Sequence, residues 1–506
     1  MVSRLCCCQS AQKIVRYLED RLQTLRSVLT FCFGIGYIAN VFLAQPLLAL
    51  INTIMLVLAV ILSFIATKGS TRMIAAVLLF VGASLLIYAQ APLDVWEKAL
   101  LENGYLLAMF IMVPLISLPV RYGGYNESLE ALFERFGNSE SRFYGLVSVM
   151  TAFLGVLVSI ASVPLTCEVA RSSRFAGNAR VLATALSRGF ITCLFCAPTT
   201  ATIALSLQLT GADWLSVLPF GLLFAIVAGF IGWIMTTLRE RFIVGRSRAQ
   251  DSSNEGNVDP VDTDLETGSS RSSDKGKGAG LSRPGAGALD HKKIAELVLF
   301  SVLYIVAVML VGQCLGISII VAVALMSILI PIIWMAAIKR TVLFKQKVKE
   351  EYVAVKLPNV KVQMILFTAA GVLASGISYS GVGEMAVTAL LQVTNEGVLA
   401  VTILVMALAL VCSAFGVHPL VYTTVIGGSL SAAQLGVSPV YLALLLAMGW
   451  ALGNAVCPTS ANTIAVSQLV ERSPFKLALN WNVSYVLAST VILIALLWLG
   501  HCLALC

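Results

Sequence analysis

The sequence predicts an all-α polytopic membrane protein with about 11 transmembrane helices plus two re-entrant hairpins, arranged in two inverted repeats. Three observations carry this expectation. Of 506 residues, 58% are hydrophobic and only 12% charged, against roughly 25% charged in an ordinary soluble domain. Lysine and arginine fall in alternate loops between the apolar runs. Three pairs of segments recur in the same order in the two portions of the chain.

The apolar runs are Ile51–Ala66, Met73–Ala89, Tyr105–Leu118, Trp214–Met235, Leu297–Val311 and Ile317–Ala337, close to the roughly 20 residues of a spanning helix. Residues 1–28 carry Arg4, Lys13, Arg16, Arg21 and Arg26 around Ile14, Val15, Leu18, Leu22 and Leu25. That pattern lacks a signal-peptide core and predicts a cytoplasmic interfacial helix. The twelve cysteines show no metal-ligand or disulfide spacing, and Cys6–Cys8 form a site where acylation is chemically open.

Basic residues cluster at Lys68 and Arg72, at Arg171, Arg174 and Arg180, ten times between Arg239 and Lys293, and seven times between Lys339 and Lys361. Those loops are expected to be cytoplasmic. The intervening loops hold one basic residue, Lys98, and are expected outside. The net charge of +8 is thus accounted for by topology and implies no nucleic-acid partner. Residues 239–292, rich in Ser, Gly and Asp, predict a disordered cytoplasmic linker. It separates a first portion, 29–238, from a second, 293–506.

ISLPVRYGGYNESLEAL from Ile116 matches ASGISYSGVGEMAVTAL, setting Tyr122 against Tyr379 and Gly124 against Gly381. VSIASVPLT matches CSAFGVHPLV, setting Pro164 against Pro419, and CAPTTATIALS matches CPTSANTIAVS, setting Pro198 against Pro458. The loop after the first segment, Arg121–Arg142, is basic, whereas its counterpart, Gly381–Gly397, has no Lys or Arg. The repeat is therefore expected to be inverted. Arg121–Arg142 and Arg171–Arg180 both belong inside although Phe143–Val169 is apolar, and a hairpin over about 143–176 resolves the parity. Its tip is expected at Ser159–Thr166. The counterpart hairpin is expected over about 397–435, turning near Ser413–Pro419, with broken helices over about 180–210 and 440–467. The N-terminus then lies inside and the C-terminus outside the inner (plasma) membrane.

Proline inside a span frees backbone groups, which lipid tolerates only beside protein or a water-filled cavity. Pro198 is accompanied by Thr199, Thr200 and Thr202, and Pro458 by Thr459, Ser460, Asn462 and Thr463. Freed carbonyls with neutral side-chain oxygens suit a small cation such as Na⁺, and freed amides suit an anion. The cation is assigned to Pro198, Thr199, Thr200, Thr202, Pro458, Thr459 and Thr463. The substrate is assigned to Ser162, Pro164, Thr166, Ser413, His418, Pro419, Ser460 and Asn462. Glu168 and Arg188 are read as snorkelling toward the cytoplasmic face, His418 as a hydrogen-bonded structural residue. Asn454, Gln208 and Gln468 are further candidates.

On SVPLT, GVHPL, CAPTTAT and CPTSANT, and on the order of spans, hairpin and broken helix, the chain from about Leu29 onward resembles the ion transporter superfamily. That group includes divalent anion/sodium symporters for dicarboxylates, citrate and sulfate, together with arsenite and sodium/proton antiporters. The resemblance implies a homodimer with a fixed scaffold and an elevator-like moving part. It also implies substrate contacts at the tips and Na⁺ contacts at the neighbouring loops. Neither tip reads Ser-Asn-Thr; the nearest string, Ser460-Ala461-Asn462-Thr463, lies in the broken helix.

The resulting expectation is a secondary transporter of a small anion, di- or tricarboxylates included, coupled to Na⁺ and needing no cofactor. The alternative is a proton-coupled antiporter or efflux permease. An intramembrane enzyme would need paired Asp motifs, HExxH or a buried Ser/His pair, and none occurs. A channel fits inverted broken helices less well than alternating access does.

Overall fold

The computed structural model describes residues 2–255, 290–395 and 397–505. The Cys6–Cys8 side chains and residues 256–289 of the expected linker lie outside the described residues. Among the described residues, 85% are helical and none lies in a strand.

The first portion comprises α1 (Val2–Leu43), α2 (Pro46–Ala66), α3 (Ser70–Tyr88), α4 (Leu93–Leu101), α5 (Gly104–Met112), α6 (Ser117–Tyr122), α7 (Asn126–Phe136), α8 (Glu140–Val158), α9 (Ser162–Ala170), α10 (Ala179–Cys193), α11 (Ala201–Thr210) and α12 (Trp214–Glu255). The second comprises α13 (His291–Leu315), α14 (Ile319–Ala337), α15 (Thr341–Lys347), α16 (Leu357–Asn359), α17 (Lys361–Ser380), α18 (Val382–Val393), α19 (Val398–Ala414), α20 (Pro419–Ser429), α21 (Ala432–Leu435), α22 (Pro439–Val456), α23 (Ala461–Leu469) and α24 (Val483–Cys502).

Two boundaries differ from expectation. α1 is one continuous helix, so the amphipathic stretch over 1–28 is not a separate interfacial element. No Gly or Pro precedes Gly34, and nothing else at that junction breaks a helix. α12 runs on to Glu255, beyond residue 239 where composition predicts the linker.

The helices form two bodies. In one, α1, α2, α3, α5, α13, α14 and α17 pack together. α3 and α17 touch backbone to backbone: a Cβ on Gly82 would lie 2.6 Å from the Leu373 nitrogen, so only glycine fits there. Trp334 stacks on Phe300 with ring centroids 4.8 Å apart and donates Nε1–H to the Tyr125 hydroxyl at 2.8 Å. The other body gathers α8–α12, α19, α20 and α22–α24. Phe80, Ile226, Leu299 and Val491 are exposed on the outside, where hydrocarbon covers them in a multi-pass membrane protein.

Eleven helical stretches among the described residues are long and apolar enough to cross a membrane, Glu140–Ala170 included. Length misleads for that stretch. Asn178 donates to Glu140 Oε1 at 2.7 Å, Ser148 donates to the Ala185 carbonyl at 3.3 Å, and a Cβ on Gly155 would sit 2.6 Å from Cys193 Sγ. α8 and α10 therefore run parallel, side by side, and 159–178 must carry the chain back between them. The reversal starts at Ser159, with φ of 51°. Pro164 falls in the first turn of α9, where a missing N–H costs nothing.

The second portion repeats the arrangement. Thr402 Oγ1 is 2.7 Å from the Tyr441 hydroxyl, and Cβ atoms on Gly449 and Gly453 would meet Ala409 Cβ at 3.4 Å and Ser413 Oγ at 2.5 Å. α19 and α22 are thus also parallel, with α20 returning between them. The turn closes α19 with Gly416 at φ of 86°; Gly416 N–H donates to the Ser413 carbonyl and Val417 N–H to that of Cys412, both at 2.9 Å, a Schellman ending.

The broken helices cross in opposite senses. Asn482 Nδ2 reaches Ser187 Oγ on α10 and the Ala455 carbonyl on α22, each at 3.2 Å. Leu209 on α11 and Leu446 on α22 would both touch a Cβ on Gly427, at 2.7 and 2.8 Å. As the first broken helix advances from 187 to 209 it meets the second from 455 back to 446, so the repeats are inverted. Gly124 and Gly381, paired by sequence, both have left-handed backbones, with φ of 88° and 73°.

Candidate functional site

Four irregular features converge in the second body: α9 and α10 pack on α23, and α11 packs on α20 and α22. Each break is tied to the hairpin tip of its own half. Thr199 Oγ1 donates to the Val156 carbonyl at 2.7 Å, and Thr459 Oγ1 donates to the Gly416 carbonyl at 2.9 Å. Val156 and Gly416 stand near the ends of α8 and α19, where last-turn carbonyls have no intrahelical partner.

Serine caps the restart of the second break. Ser460 Oγ accepts from the Thr463 N–H at 3.2 Å and lies 2.9 Å from the Asn454 carbonyl, which Thr463 Oγ1 also approaches at 3.4 Å. Pro458 precedes this turn as Pro198 precedes Thr199 in the first break, where Thr200 Oγ1 donates to the Ala197 carbonyl at 2.8 Å. In the second hairpin, Ser413 Oγ donates to the Tyr422 hydroxyl at 3.3 Å, which donates to the Gly449 carbonyl at 2.9 Å. His418 is the N-cap of α20, its Nδ1 accepting from Leu420 N–H at 3.2 Å, and Pro419 holds the first helical position, the favoured place for proline.

A second set of oxygens on these elements is buried and makes no hydrogen bond within the chain. Among them are Ser162 and Thr166 on α9, Thr202 and Ser206 on α11, Thr423 and Thr424 on α20, and Asn454, Asn462 and Ser467 on α22 and α23. Unpaired buried polar atoms are uncommon in folded proteins. Here they are neutral oxygens, and among the described residues no group of three or more His, Cys, Asp or Glu side chains could hold a metal ion. The donor set suits a weakly bound alkali cation and a hydrogen-bonding anion better than a transition metal.

The sequence-derived candidates divide accordingly. Ser162, Thr166, Thr202, Ser460, Asn462 and Thr463 are buried in this layer. Pro164, Glu168 and Gln468 are exposed. Gln208 turns to another place, donating to the Glu102 carbonyl at 3.0 Å and lining a 450 Å³ cavity with Asp94, Glu97 and Lys98.

Arg188 does not snorkel. It is 5% exposed, donating Nε–H to Asn482 Oδ1 at 3.1 Å and Nη2–H to the Trp481 carbonyl at 2.7 Å, with its guanidinium 4.6 Å from the Tyr485 ring centroid. Asn482 continues to Ser187 Oγ, to which Asn462 Nδ2 also donates at 3.2 Å. A chain of hydrogen bonds thus links a charged residue of one repeat to the break of the other. Sequence reasoning missed Asn482, which lies just before α24 with no motif around it. No protein-family model matches the chain, and no curated protein matches it.

Proposed function

We propose that the protein is a secondary active transporter that moves a small anion coupled to Na⁺ by an elevator-type motion. The observation that supports this most is the matched pair of tip-to-break hydrogen bonds, Thr199 to Val156 and Thr459 to Gly416, in two repeats of opposite direction. Transporter sites form where such repeats meet near the bilayer midplane. The unpaired oxygens around Asn462 and Thr202 supply neutral ligands, which suit Na⁺ better than H⁺.

In this reading the hairpins, breaks, α12 and α24 form the moving part, the body around α3 and α17 is the scaffold, and two copies associate as a homodimer. The N-terminus faces the cytoplasm of the plasma membrane and the C-terminus faces out. The second reading, a proton-coupled antiporter or efflux permease, rests on His418, the imidazole beside the second hairpin turn.

The test is thermal stability of the purified protein across a panel of dicarboxylates, citrate, sulfate and phosphate, with and without Na⁺. Stabilisation by one anion only when Na⁺ is present is the expected result. A shift with pH and none with Na⁺ replaces this reading with the antiporter.

A further inference from the structure

Two cavities lie along α8, α10 and α12, and they differ in chemistry. One is an apolar cavity of 560 Å³ between Tyr144–Val156 on α8 and Leu222–Trp233 on α12, with Thr192 on its floor. The other is a polar cavity of 210 Å³ lined by Glu140, Arg180, Arg188 and Arg239. Glu140 stands one turn before Tyr144, Arg188 one turn before Thr192, and Thr236 one turn after Trp233, so the same faces of the same three helices line both cavities. The apolar cavity stays open at Gly145 and Gly229, where an added Cβ would meet nothing closer than 3.5 Å, whereas between the two cavities α8 and α12 touch, Tyr144 packing its hydroxyl on Gly232. Val149 and Ile226 on the rim of the apolar cavity are exposed.

The polar cavity has three guanidinium groups against one carboxylate, and that carboxylate accepts from Asn178. Arg188 is engaged by Asn482 and Trp481. Neither Arg180 nor Arg239 forms an ion pair among the described residues. Surplus positive charge beside an apolar groove complements an amphiphile with an anionic head. The charge rule puts Arg180 and Arg239 on the cytoplasmic side, the leaflet rich in anionic lipid.

We propose that this face binds an anionic phospholipid, with its phosphate against Arg180 and Arg239 and an acyl chain passing over the exposed Trp233 into the apolar cavity between α8 and α12. The assignment goes beyond the transport reading and does not depend on it.

The test heats the purified full chain in neutral detergent with phosphatidylglycerol, with phosphatidylcholine of the same chains, or with inorganic phosphate. Phosphatidylglycerol is expected to raise the midpoint and the other two are not. Arg180→Gln with Arg239→Gln should raise the half-maximal phosphatidylglycerol concentration about thirtyfold, at the usual contribution of each cation near an anionic surface. Gly229→Leu fills the groove without touching the arginines and should weaken the same response, so it decides the matter if the double variant does not fold. Equal shifts from the two lipids, or an unchanged response in the variants, would overturn the proposal. An equal shift from inorganic phosphate overturns it in favour of a free-anion site.

Discussion

The hydroxyl of Thr199 donates to the carbonyl of Val156 at 2.7 Å, and 43 residues separate this pair just as 43 separate Thr459 from Gly416. Each contact therefore ties a helix break to the hairpin of its own repeat. Thr199→Val keeps the shape and strands the carbonyl, which should destabilise the protein by about 1–3 kcal/mol. Thr199→Ser should restore most of the loss. Thermal midpoints of the three proteins check this, and equal midpoints for valine and threonine would remove the contact from the account.

Asn462 and Thr463 open α23 beside the capping Ser460. Thr463→Ala, at a cation position, and Asn462→Ala, at a substrate position coupled to it, should each raise the half-saturating Na⁺ concentration for uptake by roughly tenfold, the effect of losing about 1.4 kcal/mol, while the protein remains folded. Uptake by reconstituted vesicles at graded Na⁺ measures it. Wild-type Na⁺ dependence in both variants would sink the cation assignment.

His418 bears on the choice of coupling ion. Its Nδ1 accepts a backbone N–H, a task asparagine performs well at an N-cap. Under the Na⁺ reading, His418→Asn transports like wild type, whereas His418→Leu loses the cap at a cost of about 1 kcal/mol. Loss of transport in His418→Asn with an unchanged thermal midpoint would give His418 a direct part in transport, as a substrate contact or a proton carrier.

Arg188→Met should destabilise by about 3 kcal/mol, because it leaves Asn482 Oδ1 and the Trp481 carbonyl without their charged donor. Lysine should rescue only in part, since an ammonium does not reproduce the guanidinium fork that serves both acceptors. Thermal midpoint and elution as a single species are the readouts. A methionine variant as stable as wild type would mean that the network is incidental.

Residues that act locally or through chain symmetry were readable from the sequence. Pro419 and Pro458 sit at chain breaks, Gly124 and Gly381 share a backbone state, and the parity of basic loops required a reversal near Ser159. Long-range partners were not readable. The hydroxyls of Thr199 and Thr459 stand beside proline, but nothing local tells that both donate to a carbonyl 43 residues earlier. Arg188 looked like a snorkelling side chain because its position near the basic loop says nothing of Asn482, 294 residues away. The length of Glu140–Ala170 could not by itself separate a span from a hairpin; contacts with α10 did.

That separation of 294 residues between Arg188 and Asn482 also has a meaning in time. At roughly 5–20 residues per second of synthesis, a buried cation made with the first repeat waits about 15–60 s for the side chain that receives it. During that interval the first repeat holds a guanidinium without the Asn482 and Trp481 acceptors that satisfy it in the fold. Its hairpin and break cannot reach their final packing until the last helix has been inserted. The two repeats are separate in sequence but form one folding unit, completed from the C-terminal end.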